Sequence, residues 1–108
     1  MEALTILEHV CVELIAKRNW PGFRCDSIKV TRREKTGVGA YIYLKDSLDQ
    51  KLIDGAYGPE PGRIVEMAGL TSGLDFEIAV SSGTLDYLEL VTCDIGGWDG
   101  LERSWRIA

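Results

Sequence analysis

The sequence predicts an α+β domain in which an N-terminal helix packs on one face of a mostly antiparallel sheet of about five strands. Apolar residues recur at spacings of three and four over residues 2–18, which is typical of a helix with one buried face. Five later segments alternate apolar and polar residues, and short glycine-containing turns separate several of them. With 108 residues the chain can build one hydrophobic core, so we expect a single domain over 1–108.

The helix is predicted over residues 2–18, because Pro21 and Gly22 prevent its continuation. Glu8 falls among the charged residues of the opposite side. The predicted core face consists of Leu4, Leu7, Val10, Cys11, Leu14 and Ile15.

The strands are predicted over 27–33, 38–45, 63–67, 74–81 and 84–92. A turn over 34–37 needs a positive φ at Gly37, and Ser82-Gly83 forms a second tight turn. The segment 46–62 is the longest loop, with one helical turn around Leu48 and Ile53. The tail after residue 92 shows neither the helical spacing nor the strand alternation of apolar residues. The residues expected to face the helix are Ile28, Val30, Val38, Ala40, Ile42, Leu44, Phe76, Ile78 and Val80.

Strict alternation predicts a polar outer face on this sheet, where Tyr41 and Tyr43 lie near Lys29, Arg33 and Lys45. Such a stripe suits either a ligand or cross-strand pairing with acidic neighbours. We favour the pairing, with Asp75 and Glu77 as its acidic members.

The last predicted strand, 84–92, is apolar on both faces, which a sheet covered on one side does not explain. Alternation places Leu88 and Leu90 opposite Leu85, and Trp98 and Trp105 follow in a tail without an assigned core position. Either the tail folds back over this strand or a second subunit covers it. We favour a homodimer built on the strand and the tail.

Charge is distributed unevenly along the chain. Residues 1–51 carry nine Lys/Arg against seven Asp/Glu, whereas residues 52–108 carry three against ten. An acidic half repels nucleic acid and attracts a basic protein, so we expect a basic protein partner and no nucleic acid. The expected contact residues are Asp75, Glu77, Asp86, Glu89, Asp94 and Asp99.

No apolar run is long enough to cross a bilayer, and the first residues lack the features of a secretory signal. We therefore expect a cytoplasmic protein without a membrane role. Three cysteines without C-x-x-C spacing favour neither a disulfide framework nor zinc, and Cys11 and Cys93 are expected to be buried.

The stretch Lys35–Leu44, KTGVGAYIYL, fits no phosphate-binding motif. It lacks the glycine spacing and lysine of a P-loop, and Ile42 stands where a dinucleotide fingerprint requires glycine. Its spacing partly matches an RNA-binding strand, but Val38 and Ala40 replace the stacking aromatic residues. A hairpin is the simplest interpretation.

Catalysis finds little support in the sequence. His9 is the only histidine and lies among apolar helical neighbours, so a nucleophilic triad has no obvious base. Asp94 and Asp99 lack the spacing of a calcium loop. We expect no enzyme, no metal and no cofactor; paired carboxylates are the least favoured function, with Glu66, Asp75, Glu77 and Glu89 as candidates.

The segments RREKTGVGAYIYL and LDYLELVTCDIGGW, separated by a glycine-bounded strand pair, resemble a group of small uncharacterised bacterial proteins. That group is similar over residues 26–98 and tends to have an aromatic residue at the position of Ala40. Its members occur among mobile-cassette and toxin-neighbouring genes. The resemblance implies an accessory or immunity-type role and no catalytic residue.

Two functions of different classes follow as hypotheses. The first is a small acidic module, immunity- or antitoxin-like, that captures a basic partner electrostatically. The alternative is a small-molecule carrier with an apolar cavity between helix and sheet, roofed by 46–62 and lined by Trp20, Tyr57 or Trp98.

Overall fold

The structure is a computed structural model that describes residues 1–108. The main sheet has five strands in the order β1-β2-β6-β5-β3, and all of its neighbouring strands are antiparallel. β4 and β7 form a separate two-stranded sheet. The predicted α+β architecture is therefore confirmed. The elements are α1 (Ile6–Asn19), β1 (Ile28–Lys35), β2 (Gly39–Asp46), β3 (Gly55–Tyr57), β4 (Val65–Met67), β5 (Asp75–Ser81), β6 (Thr84–Val91) and β7 (Trp105–Ile107).

The helix begins four residues later than predicted, because Thr5 caps it. The Thr5 hydroxyl accepts a hydrogen bond from the Glu8 amide at 3.1 Å, and a Glu8 carboxylate oxygen accepts one from the Thr5 amide at 2.9 Å. This reciprocal pair is a capping box. The residues before it are extended, and Glu2 forms an antiparallel bridge with Val30 at the edge of β1.

A single hydrophobic core lies between α1 and the inner face of the main sheet. Leu7, Cys11 and Ile15 are buried as predicted, whereas Val10 and Leu14 are only half-buried. The sheet contributes the predicted residues of β1, β2 and β5 to this core. The fully buried side chains of the core are Leu7, Cys11, Val12, Ile15, Val30, Ile42, Val65, Leu74, Ile78, Leu88 and Leu90.

A β-bulge in β1 reverses the expected faces of its second half. Val30 lies opposite Leu44 but Arg32 lies opposite Tyr43, so Thr31 is an extra residue without a partner. A bulge shifts the alternation by one residue. Arg32 therefore lies on the outer face and Arg33 on the face that α1 covers. The prediction that Arg33 is an outer-face residue was wrong for this reason.

A second bulge, in β6, explains the strand that seemed apolar on both faces. Leu85 lies opposite Val80 and Tyr87 opposite Ala79, so Asp86 is the extra residue. The shift places Leu85 on the same face as Leu88 and Leu90, and all three are buried. The expectation that Leu85 opposes the other two was wrong.

The long loop and the tail contain strands that alternation did not reveal. The loop 46–62 holds β3, which pairs with β5, and no helical turn. The segment 63–67, predicted as the third strand of the main sheet, contributes β4 to the small sheet, where Glu66 pairs with Arg106 of the tail.

The tail docks on the turn between β1 and β2. The Trp98 amide donates to the Gly37 carbonyl at 2.9 Å, and Gly37 has the predicted positive φ, +87°. Gly97 passes so close that a Cβ on it would lie 2.1 Å from the same carbonyl oxygen. The two glycines therefore serve turn formation and close backbone packing.

Two residues predicted to be buried are exposed. Val38 is 48% exposed because it lies in the turn, where its carbonyl accepts from the Thr92 amide. Cys93 follows the end of β6 and is also exposed. The structure contains no helix with the length and apolar character needed to span a membrane.

Candidate functional site

The outer face of the main sheet, opposite α1, is open. Its side chains are all exposed or half-buried, and none belongs to the hydrophobic core. We call it the tyrosine face. Its members are Lys29, Arg32, Glu34, Tyr41, Tyr43, Lys45, Asp75, Glu77, Ala79, Tyr87, Glu89 and Val91.

Three half-buried tyrosines from β2 and β6 occupy its centre. Tyr41 and Tyr87 meet edge to face with ring centroids 5.0 Å apart. Tyr43 lies directly across from Tyr87, with their ring centroids 5.9 Å apart. Edge-to-face pairs hold aromatic rings in fixed positions, so the cluster presents a preordered apolar surface with three hydroxyl groups.

A group of cations lies at one corner of this face, and we call it the basic corner: Lys29, Arg32 and Lys45. Lys29 and Lys45 lie directly opposite each other on β1 and β2. The Arg32 guanidinium lies 4.2 Å from the centroid of the Tyr43 ring, within cation–π range, and 3.4 Å from Glu34.

A group of anions lies at the diagonally opposite corner, and we call it the acidic corner: Asp75, Glu77 and Glu89. Glu77 and Glu89 lie directly opposite each other on β5 and β6, and Asp75 lies in the next outward position of β5. None of these three carboxylates forms an ion pair within the chain, and neither does Lys29 or Lys45. Like charges directly opposite in a sheet destabilise it, so both corners hold uncompensated charge.

The acidic corner also acts on the tyrosines. The negative charge of the Glu89 carboxylate is the main reason that the pKa of Tyr41 is raised above its ordinary value. Burial is the main cause that raises the pKa of Tyr87, and Glu89 adds to it. A tyrosine hydroxyl can donate a hydrogen bond, so both phenols can bind a partner in this way.

The six acidic residues predicted to bind a partner do not form one surface. Three of them make the acidic corner, and Asp86 occupies the bulge beside Tyr87. Asp94 instead accepts hydrogen bonds from the Thr71 and Ser72 amides at 2.7 and 2.6 Å, which lower its pKa. Asp99 pairs with Arg103 at 2.7 Å, which also lowers its pKa. These last two stabilise the tail.

Most of the other predicted contact residues lie inside the chain. Leu88, Leu90 and Trp98 are 0%, 2% and 4% exposed, so the chain itself covers them. Tyr57 packs edge to face on Trp20 at 4.9 Å and donates to the Ile53 carbonyl at 2.6 Å. Trp105 is half-buried in β7.

Arg32 and Tyr87 are members of the aromatic and basic groups of the tyrosine face that escaped prediction. Each directly follows the extra residue of a bulge, and strict alternation assigned each the wrong neighbours. The only signal in the sequence was indirect: the strand 84–92 seemed apolar on both faces, which a bulge resolves.

The covered face holds one ion cluster. The Arg33 guanidinium donates to both carboxylate oxygens of the buried Glu8, at 2.8 and 2.7 Å, and also binds Glu2. These bonds raise the pKa of Arg33, with the Glu8 hydrogen bond as the main cause. Glu8, predicted to be on the exposed side of the helix, is buried because Arg33 compensates its charge.

A cleft of about 310 Å³ adjoins this cluster. Trp98, Ile42 and Leu90 contribute its apolar wall, and Lys35 and Glu102 contribute charges. It lies under the tail, whereas the carrier hypothesis placed a cavity under the loop 46–62. Trp20 and Tyr57, two of the three proposed lining residues, do not line it.

No group of three or more His, Cys, Asp or Glu side chains is arranged to hold a metal ion. His9 lies on the exposed side of α1 and pairs with Glu13 at 2.9 Å. The carboxylates considered for acid–base chemistry are divided, because Glu66 pairs with Arg106 in the small sheet.

The fold and this surface define the chain as a small α+β protein with one covered and one open sheet face. Comparisons with protein-family models, with characterised proteins and with solved structures give no match to it.

Proposed function

We propose that this chain is a protein-binding module whose recognition surface is the tyrosine face. The observation that carries the proposal is the combination of three preordered tyrosines with uncompensated charge at two corners of an open sheet. Tyrosine and arginine are enriched at the energetic centres of protein interfaces, where they are surrounded by charged rims.

The partner we propose presents basic side chains to the acidic corner. Asp75, Glu77 and Glu89 have no cation of their own, so a partner's lysine or arginine relieves the repulsion between Glu77 and Glu89 while forming new pairs. Opposite charge also accelerates encounter and makes it dependent on salt. This is the behaviour expected of an accessory or immunity-type protein that captures a basic partner.

A defined probe tests this recognition: a peptide of alternating lysine and tyrosine, titrated into the labelled chain by NMR. We expect shifts confined to the tyrosine face. The double variant Glu77→Lys/Glu89→Lys should bind at least about tenfold more weakly, because its corner then repels the peptide.

The matched control is Asp49→Lys/Glu60→Lys, which changes net charge equally but in the exposed loop 46–62. It should retain most of the affinity. Equal loss in both variants, or shifts spread over the whole surface, would show general attraction to an acidic protein and contradict the proposal.

The natural partner, captured from cells that express the chain, should then show the same dependence on the acidic corner and on salt. Loss of a specific captured protein with the corner variant, but not with the loop control, is the expected result.

The cleft under the tail supports a second candidate, a small-molecule carrier. Its Trp98 wall and the adjoining Lys35 suit an amphipathic anion, and anilinonaphthalene sulfonate is a probe of that chemistry. Quenching of Trp98 fluorescence by stoichiometric dye, and its loss in Lys35→Glu, would favour the carrier; the absence of saturable binding would remove it.

A further inference from the structure

We infer that the tyrosine face also binds a second copy of this chain, through contacts between its own basic and acidic corners. The inference shares its surface with the proposed function but does not require the basic partner.

The charge pattern of the face is self-complementary. The basic corner belongs to β1 and one end of β2, and the acidic corner to β5 and the opposite end of β6. The tyrosines lie between them. A face that carries opposite charges at opposite ends around an apolar centre meets the main requirement of an interface between identical chains.

The symmetry of such a dimer follows from this arrangement. In a two-fold dimer of sheets packed face to face, the axis lies in the plane of the interface. If this axis passes through the centre of the tyrosine cluster, perpendicular to the line that joins the two corners, the two-fold rotation exchanges the positions of the basic and acidic corners. Each basic corner then meets the acidic corner of the second copy, and the two tyrosine clusters meet at the centre. An axis along that line would instead oppose like charges.

The size of the face sets the expected strength. Strands lie about 4.8 Å apart and rise about 3.3 Å per residue, so four strands of about seven residues offer a patch of roughly 19 by 23 Å. This is smaller than the roughly 800 Å² per partner of a standard interface. We therefore expect a weak dimer, with a dissociation constant in the micromolar range or above, that salt weakens further.

This dimer differs from the one that the sequence suggested. That interface was to be built on the strand 84–92 and the tail. Of its residues, Leu88, Leu90 and Trp98 are buried in the chain's own core, and Trp105 is half-buried. The outer face of the same strand, with Tyr87 and Glu89, replaces it.

A charge-exchange experiment on the purified chain tests the inference. Glu77→Lys/Glu89→Lys makes both corners basic, and Lys29→Glu/Lys45→Glu makes both acidic. In each variant the substituted strand pair, β5–β6 or β1–β2, again holds two like charges opposite each other, as in the unmodified chain. The stability of the monomer should therefore change little. Sedimentation velocity is measured from micromolar to millimolar concentration.

We expect the unmodified chain to dimerise, each variant alone to stay monomeric, and an equimolar mixture of the two to form a heterodimer. The loop variant Asp49→Lys/Glu60→Lys should dimerise like the unmodified chain. A chain that stays monomeric throughout, or a dimer that survives in either corner variant, would overturn the inference.

The two proposals fail separately. A monomeric chain whose binding to the lysine–tyrosine peptide depends on the acidic corner would reject the second copy and keep the protein-binding function. A dimer that responds to the corner variants, together with no selective peptide binding, would reject the basic partner and keep the second copy.

Discussion

The two faces of the five-stranded sheet carry their charges in different ways. On the covered face, Arg33 donates two hydrogen bonds to Glu8, so the buried carboxylate has its partner within the chain. On the tyrosine face, Glu77 lies against Glu89 and Lys29 against Lys45, and none of these four side chains forms an ion pair within the chain. Charge on the covered face stabilises the fold, whereas charge on the tyrosine face is available to another molecule.

The largest expected difference between the faces is in the free energy of unfolding lost when an apolar residue of β6 is shortened. Leu88→Ala removes a fully buried side chain and should lower the free energy of unfolding by about 3–4 kcal/mol, because it leaves a cavity. Val91→Ala, on the half-buried outer face, should cost less than about 1 kcal/mol. Urea unfolding followed by circular dichroism measures both, and equal losses would contradict the assignment of the faces.

A second pair of variants compares adjacent arginines. Arg33→Met leaves the carboxylate of Glu8 buried without a cation, and we expect a loss of about 2–3 kcal/mol, somewhat less than for a fully buried pair because the Arg33 side chain is 32% exposed. Arg32→Met removes one exposed cation–π contact and should cost about 0.5–1 kcal/mol. The same unfolding measurement applies. A larger loss for Arg32 would show that the bulge at Thr31 is misplaced.

Much of the fold follows from the sequence because strict alternation holds where strands are regular. Ala40, Ile42 and Leu44 face the core as predicted, as do Ile28 and Val30 before the first bulge. The helix was predicted too long because the capping residue, Thr5, is followed by the same periodic pattern that precedes it.

The errors in the sheet have two physical origins. A bulge adds one residue to one strand and depends on the pairing of two distant segments, so no local pattern reveals it. Strands of three residues, such as β3 and β7, are too short to show a period. The aromatic and acidic residues of the candidate site were predicted where alternation is unbroken, as at Tyr41, Tyr43 and Glu77. Arg32 and Tyr87 were missed directly after the two bulges.

A third prediction uses the coupling between the acidic corner and the tyrosines. The pKa values of Tyr41 and Tyr87 are higher in the folded chain than the ordinary value of about 10. The unfolded chain therefore loses these protons first as pH rises. Their contribution to stability is complete below pH 10 and is lost above it.

Glu89→Gln should lower both pKa values toward the ordinary one, with the larger change at Tyr41, because Glu89 is the main cause there. Phenolate absorbance during an alkaline titration of the folded chain measures this. Glu60→Gln, in the exposed loop, is the control and should leave the curve unchanged. An unaltered curve for Glu89→Gln would show that the acidic corner does not act on the tyrosines.

The smallest expected effect is also the one that separates the two faces most sharply, because a single substitution should act in opposite directions. Glu77→Lys replaces the repulsion across β5 and β6 by attraction to Glu89, so it should raise the stability of the monomer by about 0.5 kcal/mol. Glu77→Gln removes the repulsion alone and should give a smaller gain.

Stability must be measured below the concentration at which the chain dimerises, since association also stabilises the folded state. The same Glu77→Lys change removes a charge that the basic corner of a second copy would bind, so sedimentation should show weaker association. If Glu77 instead served to stabilise the fold, Glu77→Lys would lower the stability of the monomer and leave its association unchanged.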